Sequence, residues 1–295
     1  MAEYAHDVLV SPEWVVDRFD EIQADDPALQ LFEVSVDTDV YDDGHIPGAH
    51  SLDWNVELQD PETFDVLTRE DFETLLGSYG VTSETTVVLY GDMMNWFAAY
   101  AFWLLKYYGH PDVRLVNGGR DYWTRQSFPL STEQPPVTER KYEVTAVNDE
   151  IRVDREIVND ALDRDVSLVD VRSPEEYRGE VLAPPGWNEG VQRGGHIPGA
   201  INIPWSQAVA EDGRFKPPEE LRHVYEPILD SETEIFVYCR IGERSALAWV
   251  VLHELLGQED VRHYYGSWVE WGNTVGAPIE RGRYATQKLE TNSMQ

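Results

Sequence analysis

Short apolar runs, each followed by a helical pattern, recur along this chain. The runs are five to eight residues long and rich in β-branched and aromatic residues, which is typical of buried strands. Six strands are predicted: "LQLFEVSV", "TTVVLY", "DVRLV", "VSLVDV", "EIFVY" and "DVRHY". Helices are predicted between them, with Ser11 and Asp154 as N-caps of two and further helices near 96–108 and 245–256. This alternation predicts an α/β fold of parallel sheets flanked by helices.

The same pattern occurs twice. Residues 83–123 align with residues 231–271 without a gap, at an offset of 148 residues, and "GHIPGA" begins at Gly44 and again at Gly195. Self-similarity over this length indicates a duplicated domain. The segment between the two copies is rich in Pro, Ser, Thr and charge, which is typical of a linker. The predicted divisions are a first domain at 1–126, a linker at 127–142 and a second domain at 143–295.

Size and charge narrow the classes of function. A chain of 295 residues is comfortable for two domains. The chain has 55 acidic and 23 basic residues, a net charge of −32, and the acidic residues are spread through both halves. Such a charge argues against binding nucleic acid or an anionic membrane surface. It is typical of proteins of salt-loving organisms, so we expect the fold to be most stable in concentrated salt, where repulsion is screened.

The cysteine content and the amino-terminal sequence bear on location. A single cysteine allows no internal disulfide, which fits a reducing compartment. The sequence "MAEYAHDVLVSPEW" has neither the basic nor the apolar region of a signal peptide, and no apolar stretch is long enough to span a membrane. We therefore expect a cytoplasmic protein.

The one cysteine, Cys239, directly follows the predicted strand "EIFVY", in the loop "CRIGERS". Open α/β sheets bind ligands at the carboxyl ends of their strands. Loop N–H groups and the start of the next helix attract anions, and Arg240 and Arg244 add positive charge, so we expect the loop to favour a thiolate. Gly242 permits a backbone conformation that other residues resist. Most lone cysteines are inert core residues, but these surroundings favour a nucleophile.

The first copy lacks this loop. Gly91 stands at the position of Cys239, and Asp92 stands at the position of Arg240. Because the nucleophile and the neighbouring positive charge are both absent, we predict that the first copy does not carry out the chemistry of the second.

These features resemble the two-domain rhodaneses, the thiosulfate sulfurtransferases: two tandem copies, "GHIPGA" in each, and a cysteine loop in the second only. The resemblance implies a ping-pong reaction in which Cys239 attacks the outer sulfur of thiosulfate, sulfite leaves, and the resulting persulfide passes its sulfur to cyanide or a thiol. Arg240, Gly242, Arg244 and Ser245 would bind the anionic donor, with loop N–H groups holding the charged sulfur. The resemblance implies neither a metal nor another cofactor.

Further side chains are expected to support the loop. Arg178 begins a long insertion that the first copy lacks, and we expect it to face the substrate. Asp170 and Arg172 end another predicted parallel strand, where they either orient the loop or pair with each other. Three residues of the first copy are candidates to line a cleft beside the loop, with the core as the alternative: Trp54, Asn95 and Trp96.

Three other functions stay open. Relatives that use 3-mercaptopyruvate usually have small uncharged residues after the cysteine, so the arginines favour thiosulfate. However, Ile241 and Glu176 stand where the animal thiosulfate enzymes have lysine and arginine. Dual-specificity phosphatases of this fold have five residues between cysteine and arginine, whereas "RIGE" has four. The third alternative is a sulfur-carrier module without turnover, although inactive rhodanese-like domains usually lose the cysteine.

Overall fold

A computed structural model describes residues 3–187, 190–229 and 233–282 of the chain. The chain divides into two compact units. The first contains Glu3–Asp149 together with Val209–Lys216, and the second contains Glu150–Ala208 and the described chain from Pro217 onward. The boundaries drawn from the sequence, 1–126, 127–142 and 143–295, stay a prediction, and the last of these domains extends beyond the described residues.

Each unit contains a five-stranded sheet in which all neighbouring strands are parallel. The first sheet has the order β1-β5-β4-β2-β3 and the second the order β6-β10-β9-β7-β8, so the two units share one topology. The strands are β1 (Leu9–Val10), β2 (Leu29–Ser35), β3 (Ala49–Asp53), β4 (Thr86–Gly91), β5 (Val113–Val116), β6 (Arg152–Val153), β7 (Ser167–Asp170), β8 (Ile201–Asn202), β9 (Ile235–Tyr238) and β10 (Val261–Tyr264).

Helices flank both sheets. In the first unit they are α1 (Pro12–Val16), α2 (Phe19–Ile22), α3 (Asp39–Asp43), α4 (Trp54–Glu57), α5 (Arg69–Ser78), α6 (Trp96–Tyr107) and α7 (Gly119–Arg125). In the second unit they are α8 (Arg155–Ala161), α9 (Pro174–Arg178), α10 (Pro218–Leu229), α11 (Glu243–Trp249) and α12 (Ser267–Asn273). α11 continues without a break into a π-helical segment, Val250–Leu255.

The predicted parallel α/β fold and its duplication are confirmed. All six predicted strands form, and they are largely buried, which is why they read as apolar runs. Ser11 and Asp154 cap their helices by accepting hydrogen bonds from the N–H groups of Trp14 at 3.2 Å and Ile157 at 2.8 Å. The other four strands escaped prediction because three have only two residues and β3, "AHSLD", has no apolar run.

Among the helices of the described ranges, none combines the length and the apolar character that a membrane-spanning helix requires.

Candidate active site

The loop that contains Cys239 is short and tightly turned. Cys239 follows β9 directly, and α11 begins at Glu243, two residues before the predicted start at Ser245. Gly242 makes the turn possible because its φ is +113° and a Cβ atom would lie 2.9 Å from a ring carbon of Tyr265. The early start of α11 places Glu243 one helical turn beyond the cysteine, so its side chain faces the loop.

The sulfur of Cys239 lies in a buried polar pocket. The N–H group of Gly242 donates a hydrogen bond to Sγ at 3.1 Å, and Oε2 of Glu243 lies 3.6 Å from Sγ on another side. The N–H group of Cys239 donates to Oγ of Ser267 at 3.1 Å, and its carbonyl accepts from the N–H group of Trp268 at 3.1 Å. Contacts from the start of α12 therefore fix the backbone of the nucleophile.

The expectation that this loop favours a thiolate is wrong for the state described. Burial raises the pKa of the Cys239 thiol, and the carboxylate of Glu243 raises it further. The charge of Arg244, the hydroxyl of Ser245 and the N–H group of Gly242 lower the same pKa, but they do not outweigh the first two effects. The cations, the loop N–H groups and the helix start favour a thiolate, but the loss of solvation and the acidic residue of the loop, which the sequence pattern does not show, favour the thiol.

Arg244 lies between two buried carboxylates. Its Nη1 and Nη2 donate to the two oxygens of Glu176 at 2.9 and 3.1 Å, and its Nε lies 3.3 Å from Oε1 of Glu243. Glu176 is fixed in turn by a capping box with Ser173 at the start of α9. The guanidinium group therefore neutralises acidic side chains of the protein, and its role in binding a donor stays a prediction.

Arg240 and Ser245 occupy the other sides of the loop. Arg240 is buried, and its guanidinium carbon lies 5.4 Å from the ring centroid of Trp187. Oγ of Ser245 donates to the carbonyl of Gly242 at 3.0 Å and lies 2.8 Å from Nε2 of His263. Burial lowers the pKa of His263 to about 3, so its imidazole is neutral at physiological pH. The predicted donor-binding roles of Arg240, Gly242 and Ser245 remain proposals.

The Asp170 and Arg172 side chains pair with each other, which was one of the two alternatives. Nε and Nη2 of Arg172 contact the carboxylate at 3.0 and 2.5 Å, and Nη2 also donates to the carbonyl of Gly195 at 2.7 Å. The guanidinium carbon lies 4.6 Å from the ring centroid of Trp268. This buried pair joins the end of β7 to α12, the helix that holds the cysteine backbone.

Arg178 makes its ion pairs within its own segment. Nε lies 2.7 Å from Oε1 of Glu180, and Nη2 lies 3.2 Å from Oε1 of Glu175. Its predicted role facing the substrate stays a prediction.

Of the cleft candidates from the first copy, Trp54 and Asn95 make contacts within their own unit. The ring of Trp54 lies 5.0 Å from that of Phe97, centroid to centroid. Asn95 is buried; its Oδ1 accepts from the N–H group of Gly91 at 2.9 Å, and its Nδ2 donates to the carbonyl of Val116 at 2.9 Å. Trp96 begins α6. A part for these residues in lining a cleft stays a prediction.

The counterpart of the cysteine loop in the first unit is strained and acidic. Met93, Met94 and Asn95 have φ values of +44°, +57° and +68°, a run of left-handed conformations that non-glycine residues rarely adopt. Asp92 lies beside them, and burial, followed by the charges of Glu33 and Asp121, raises its pKa to about 7. Where the second copy has a thiol and two arginines, the first therefore has an acid that resists ionisation.

Replacing Asp92 by Asn is expected to stabilise the protein in mildly alkaline solution. Because the pKa of Asp92 is raised on folding, its contribution to stability is complete below its unfolded pKa of 3.8 and is lost as the pH rises through about 7. We expect Asp92→Asn to raise the unfolding free energy by about 1–2 kcal/mol at pH 8.5 and much less at pH 5. Urea denaturation at the two pH values measures this, and a gain of equal size at both would contradict it.

The structure identifies site residues that the sequence analysis missed. They are buried polar residues of the second copy that contact the cysteine, its backbone or the side chains around it. Alignment of the two copies contained a signal for them, because two stand where the first copy has a residue that neither ionises nor donates from a side chain. The residues and their first-copy counterparts at an offset of 148 are Glu243 with Asn95, His263 with Leu115 and Ser267 with Gly119.

Comparison with known proteins identifies the family. The model of the rhodanese-like domain matches residues 11–126 and again 154–274. A protein of Haloferax volcanii that is provisionally named a thiosulfate sulfurtransferase is 55% identical over 282 residues, which cover 95% of this chain and 99% of the relative. The sulfur carrier protein TtuD of Thermus thermophilus is 49% identical over 286 residues, which cover 95% of this chain and 99% of that protein.

Solved structures agree with these matches. The wild-type structure of EanB superposes with a TM-score of 0.82 at 29% identity, covering 94% of this chain and 69% of EanB. A variant of EanB solved with a cysteine persulfide has a TM-score of 0.82 at 30% identity, covering 94% of this chain and 71% of that one. Both halves of the molecule match one domain model, and the relatives align over nearly the whole length. The chain belongs to the rhodanese family, with two rhodanese-like domains in tandem and its one cysteine in the second.

Proposed function

We propose that this protein transfers the outer sulfur of thiosulfate to cyanide or a thiol through a persulfide on Cys239. Sulfur transfer in general is supported by membership of the rhodanese family and by relatives named as sulfurtransferases and as a sulfur carrier. The observation that carries the proposal is the placement of Sγ, at the end of β9 with the N–H group of Gly242 donating to it at 3.1 Å. That donor suits a sulfur atom that becomes negatively charged.

The reaction needs one covalent intermediate. The Cys239 thiolate attacks the outer sulfur of thiosulfate; a bond forms between Sγ and that sulfur, the bond to the sulfonate sulfur breaks, and sulfite leaves with the electron pair. Cyanide then attacks the terminal sulfur of the persulfide, thiocyanate leaves, and the electron pair returns to Sγ. The cysteine persulfide in an EanB structure is a precedent for this intermediate in a related protein.

The choice of donor depends on charge. Thiosulfate carries two negative charges, whereas 3-mercaptopyruvate carries one on its carboxylate. Arg244 forms ion pairs with Glu176 and Glu243. We therefore assign recognition of the second negative charge of thiosulfate to Arg240. Its position against Trp187 keeps the guanidinium group in a partly apolar setting, where a charge pair is stronger than in water.

Replacing Arg240 by Ala is expected to weaken the use of thiosulfate much more than the use of 3-mercaptopyruvate. Loss of one charge-assisted contact to the dianion lowers kcat/KM for thiosulfate by about 10–100-fold, with a smaller loss for the monoanion. Thiocyanate formation from each donor, measured in about 2 M KCl to screen acidic repulsion, checks this. Equal losses for the two donors would assign Arg240 a structural role.

A second candidate is a carrier that delivers its sulfur to another protein. The 49% identity to TtuD favours it, and the same persulfide serves both functions. Intact mass after addition of thiosulfate tests the shared step. A gain of one sulfur that cyanide discharges rapidly supports an enzyme; a gain that cyanide removes only slowly supports the carrier; and no gain contradicts both.

A further inference from the structure

Glu243 is the one carboxylate that the described structure places against the reacting sulfur. Its Oε2 lies 3.6 Å from Sγ of Cys239, and both residues are buried, at 1% and 0% exposure. An S–H group is a weak hydrogen-bond donor and a carboxylate is a strong acceptor. This geometry therefore fits a thiol whose S–H group donates a hydrogen bond to Glu243. The corresponding residue of the first copy, Asn95, has an amide that cannot accept a proton and faces no cysteine.

We propose that Glu243 is the catalytic base of the sulfur transfer: its carboxylate accepts the hydrogen bond of the Cys239 thiol in the resting protein, takes the proton when sulfur is accepted, and returns it when sulfur is delivered. This inference rests on the function proposed above and adds a residue to it. In the first step the S–H bond breaks and an O–H bond forms on Glu243. The resulting thiolate attacks the donor, sulfite leaves with its electron pair, and the neutral carboxylic acid lies beside the persulfide anion.

The proton returns in the second half of the cycle. When cyanide removes the terminal sulfur as thiocyanate, the electron pair left on Sγ recovers the proton from Glu243. The Cys239–Glu243 pair thus carries one negative charge throughout, first on the carboxylate and then on the persulfide. A constant charge matters in a buried pocket because a second anion there would be costly to desolvate. Arg244, with Nε at 3.3 Å from Oε1 of Glu243, matches this single charge.

Other charged groups around Cys239 are already engaged. From α9, Glu176 accepts hydrogen bonds from Arg244 on both of its carboxylate oxygens. From β10, His263 lies behind Ser245, and burial keeps it neutral. At the end of β7, the Asp170–Arg172 pair lies next to Tyr238, the residue before the cysteine. Arg240 is a permanent cation and cannot accept a proton. Glu243 is therefore the group placed to exchange a proton with Sγ directly.

Infrared difference spectra test the proton transfer. Adding thiosulfate to the wild type is expected to remove the S–H stretching band of its one cysteine and to produce the carbonyl band of a protonated carboxylic acid, in a ratio of one to one. Cyanide is expected to reverse both changes. In Glu243→Gln the S–H band should disappear without the acid band. Loss of the S–H band in the wild type with no gain of the acid band would overturn the proposal, as would a resting protein without an S–H band.

The pH dependence of the rate of single-turnover persulfide formation distinguishes a base from a structural residue. Loss of a purely structural contact would lower this rate without changing its dependence on pH. With an internal base the wild-type rate is nearly independent of pH between 6 and 8, whereas the Glu243→Gln rate rises about tenfold per unit until its thiol ionises. Glu243→Asp keeps the charge but withdraws the carboxylate from Sγ, and we expect it to retain the flat profile at a lower rate. Glu219→Gln, which removes an exposed charge from α10, is the matched control and should behave as wild type. A flat profile in Glu243→Gln would contradict the proposal.

Failure of the inference can be told apart from failure of the proposed function. If no donor adds sulfur to Cys239, the sulfurtransferase proposal fails, and titration of the S–H band in the resting protein still tests the pair. Loss of the negative neighbour should move the midpoint of that titration to lower pH in Glu243→Gln. Equal midpoints in the two proteins would overturn the inference even if persulfide forms normally.

Discussion

Cys239→Ser is expected to abolish persulfide formation and thiocyanate production while leaving the fold intact. A serine oxygen forms no persulfide, and the protein has no second cysteine to replace Sγ. The smaller hydroxyl still accepts from the N–H group of Gly242 and donates toward Glu243, so the cost in unfolding free energy should be about 1 kcal/mol. Because this change removes the atom that carries the sulfur, we expect the largest loss of activity of any single substitution.

Intact mass after thiosulfate and the rate of thiocyanate formation measure the effect, with circular dichroism as the control for folding. Wild-type protein should gain the mass of one sulfur, and the variant none. Turnover retained by Cys239→Ser would remove the central claim.

Arg244→Met is expected to have the largest effect on stability, with a loss of about 3–5 kcal/mol. The side chains of Arg244 and Glu176 are 3% and 0% exposed, so removal of the cation leaves a buried carboxylate without its bidentate partner. The comparison is Arg178→Met: Arg178 and its partner Glu180 are 25% and 56% exposed, and loss of such a surface pair costs about 0–1 kcal/mol. Urea denaturation in about 2 M KCl, where surface charges are screened, measures both.

The unfolding free energy that Arg244→Met loses relative to the wild type should depend on pH with a definite sign. Burial by itself would raise the pKa of Glu176, but hydrogen bonds and charge from Arg244, together with the charge of Arg172, hold it below the usual 4.5. In the wild type the stabilisation is therefore present above pH 4.5 and is lost as the pH falls further. Without Arg244, burial dominates and the variant loses stability as the pH rises.

The deficit should thus be larger at pH 8 than at pH 5. Adding Glu176→Gln to Arg244→Met should recover part of the loss at pH 8, because the double variant no longer buries that charge. A deficit independent of pH, or no recovery in the double variant, would mean that Arg244 stabilises the fold by packing alone.

The duplicated α/β fold was predictable because its central strands lie between buried layers. Such strands read as apolar runs, and the 148-residue repeat doubles each signal. Three of the edge strands, β1, β6 and β8, have only two residues, and β3 has no apolar run, so no local pattern distinguishes them from loops. The helix caps were predictable at Ser11 and Asp154 because capping depends on residues three apart or fewer.

Local patterns were enough to predict that Cys239 directly follows a parallel strand and precedes a helix, because strand, loop and helix are consecutive and each carries a local signal. The charge around the sulfur depends instead on tertiary packing. α11 begins two residues earlier than its apolar pattern indicates, which brings Glu243 to 3.6 Å from Sγ. Arg244 pairs with Glu176, 68 residues away along the chain. Hydrophobic periodicity carries no information about these partners, because they come together only when α9, α11 and α12 pack around one edge of the sheet. Burial of the sulfur then sets whether the cysteine rests as a thiol or a thiolate.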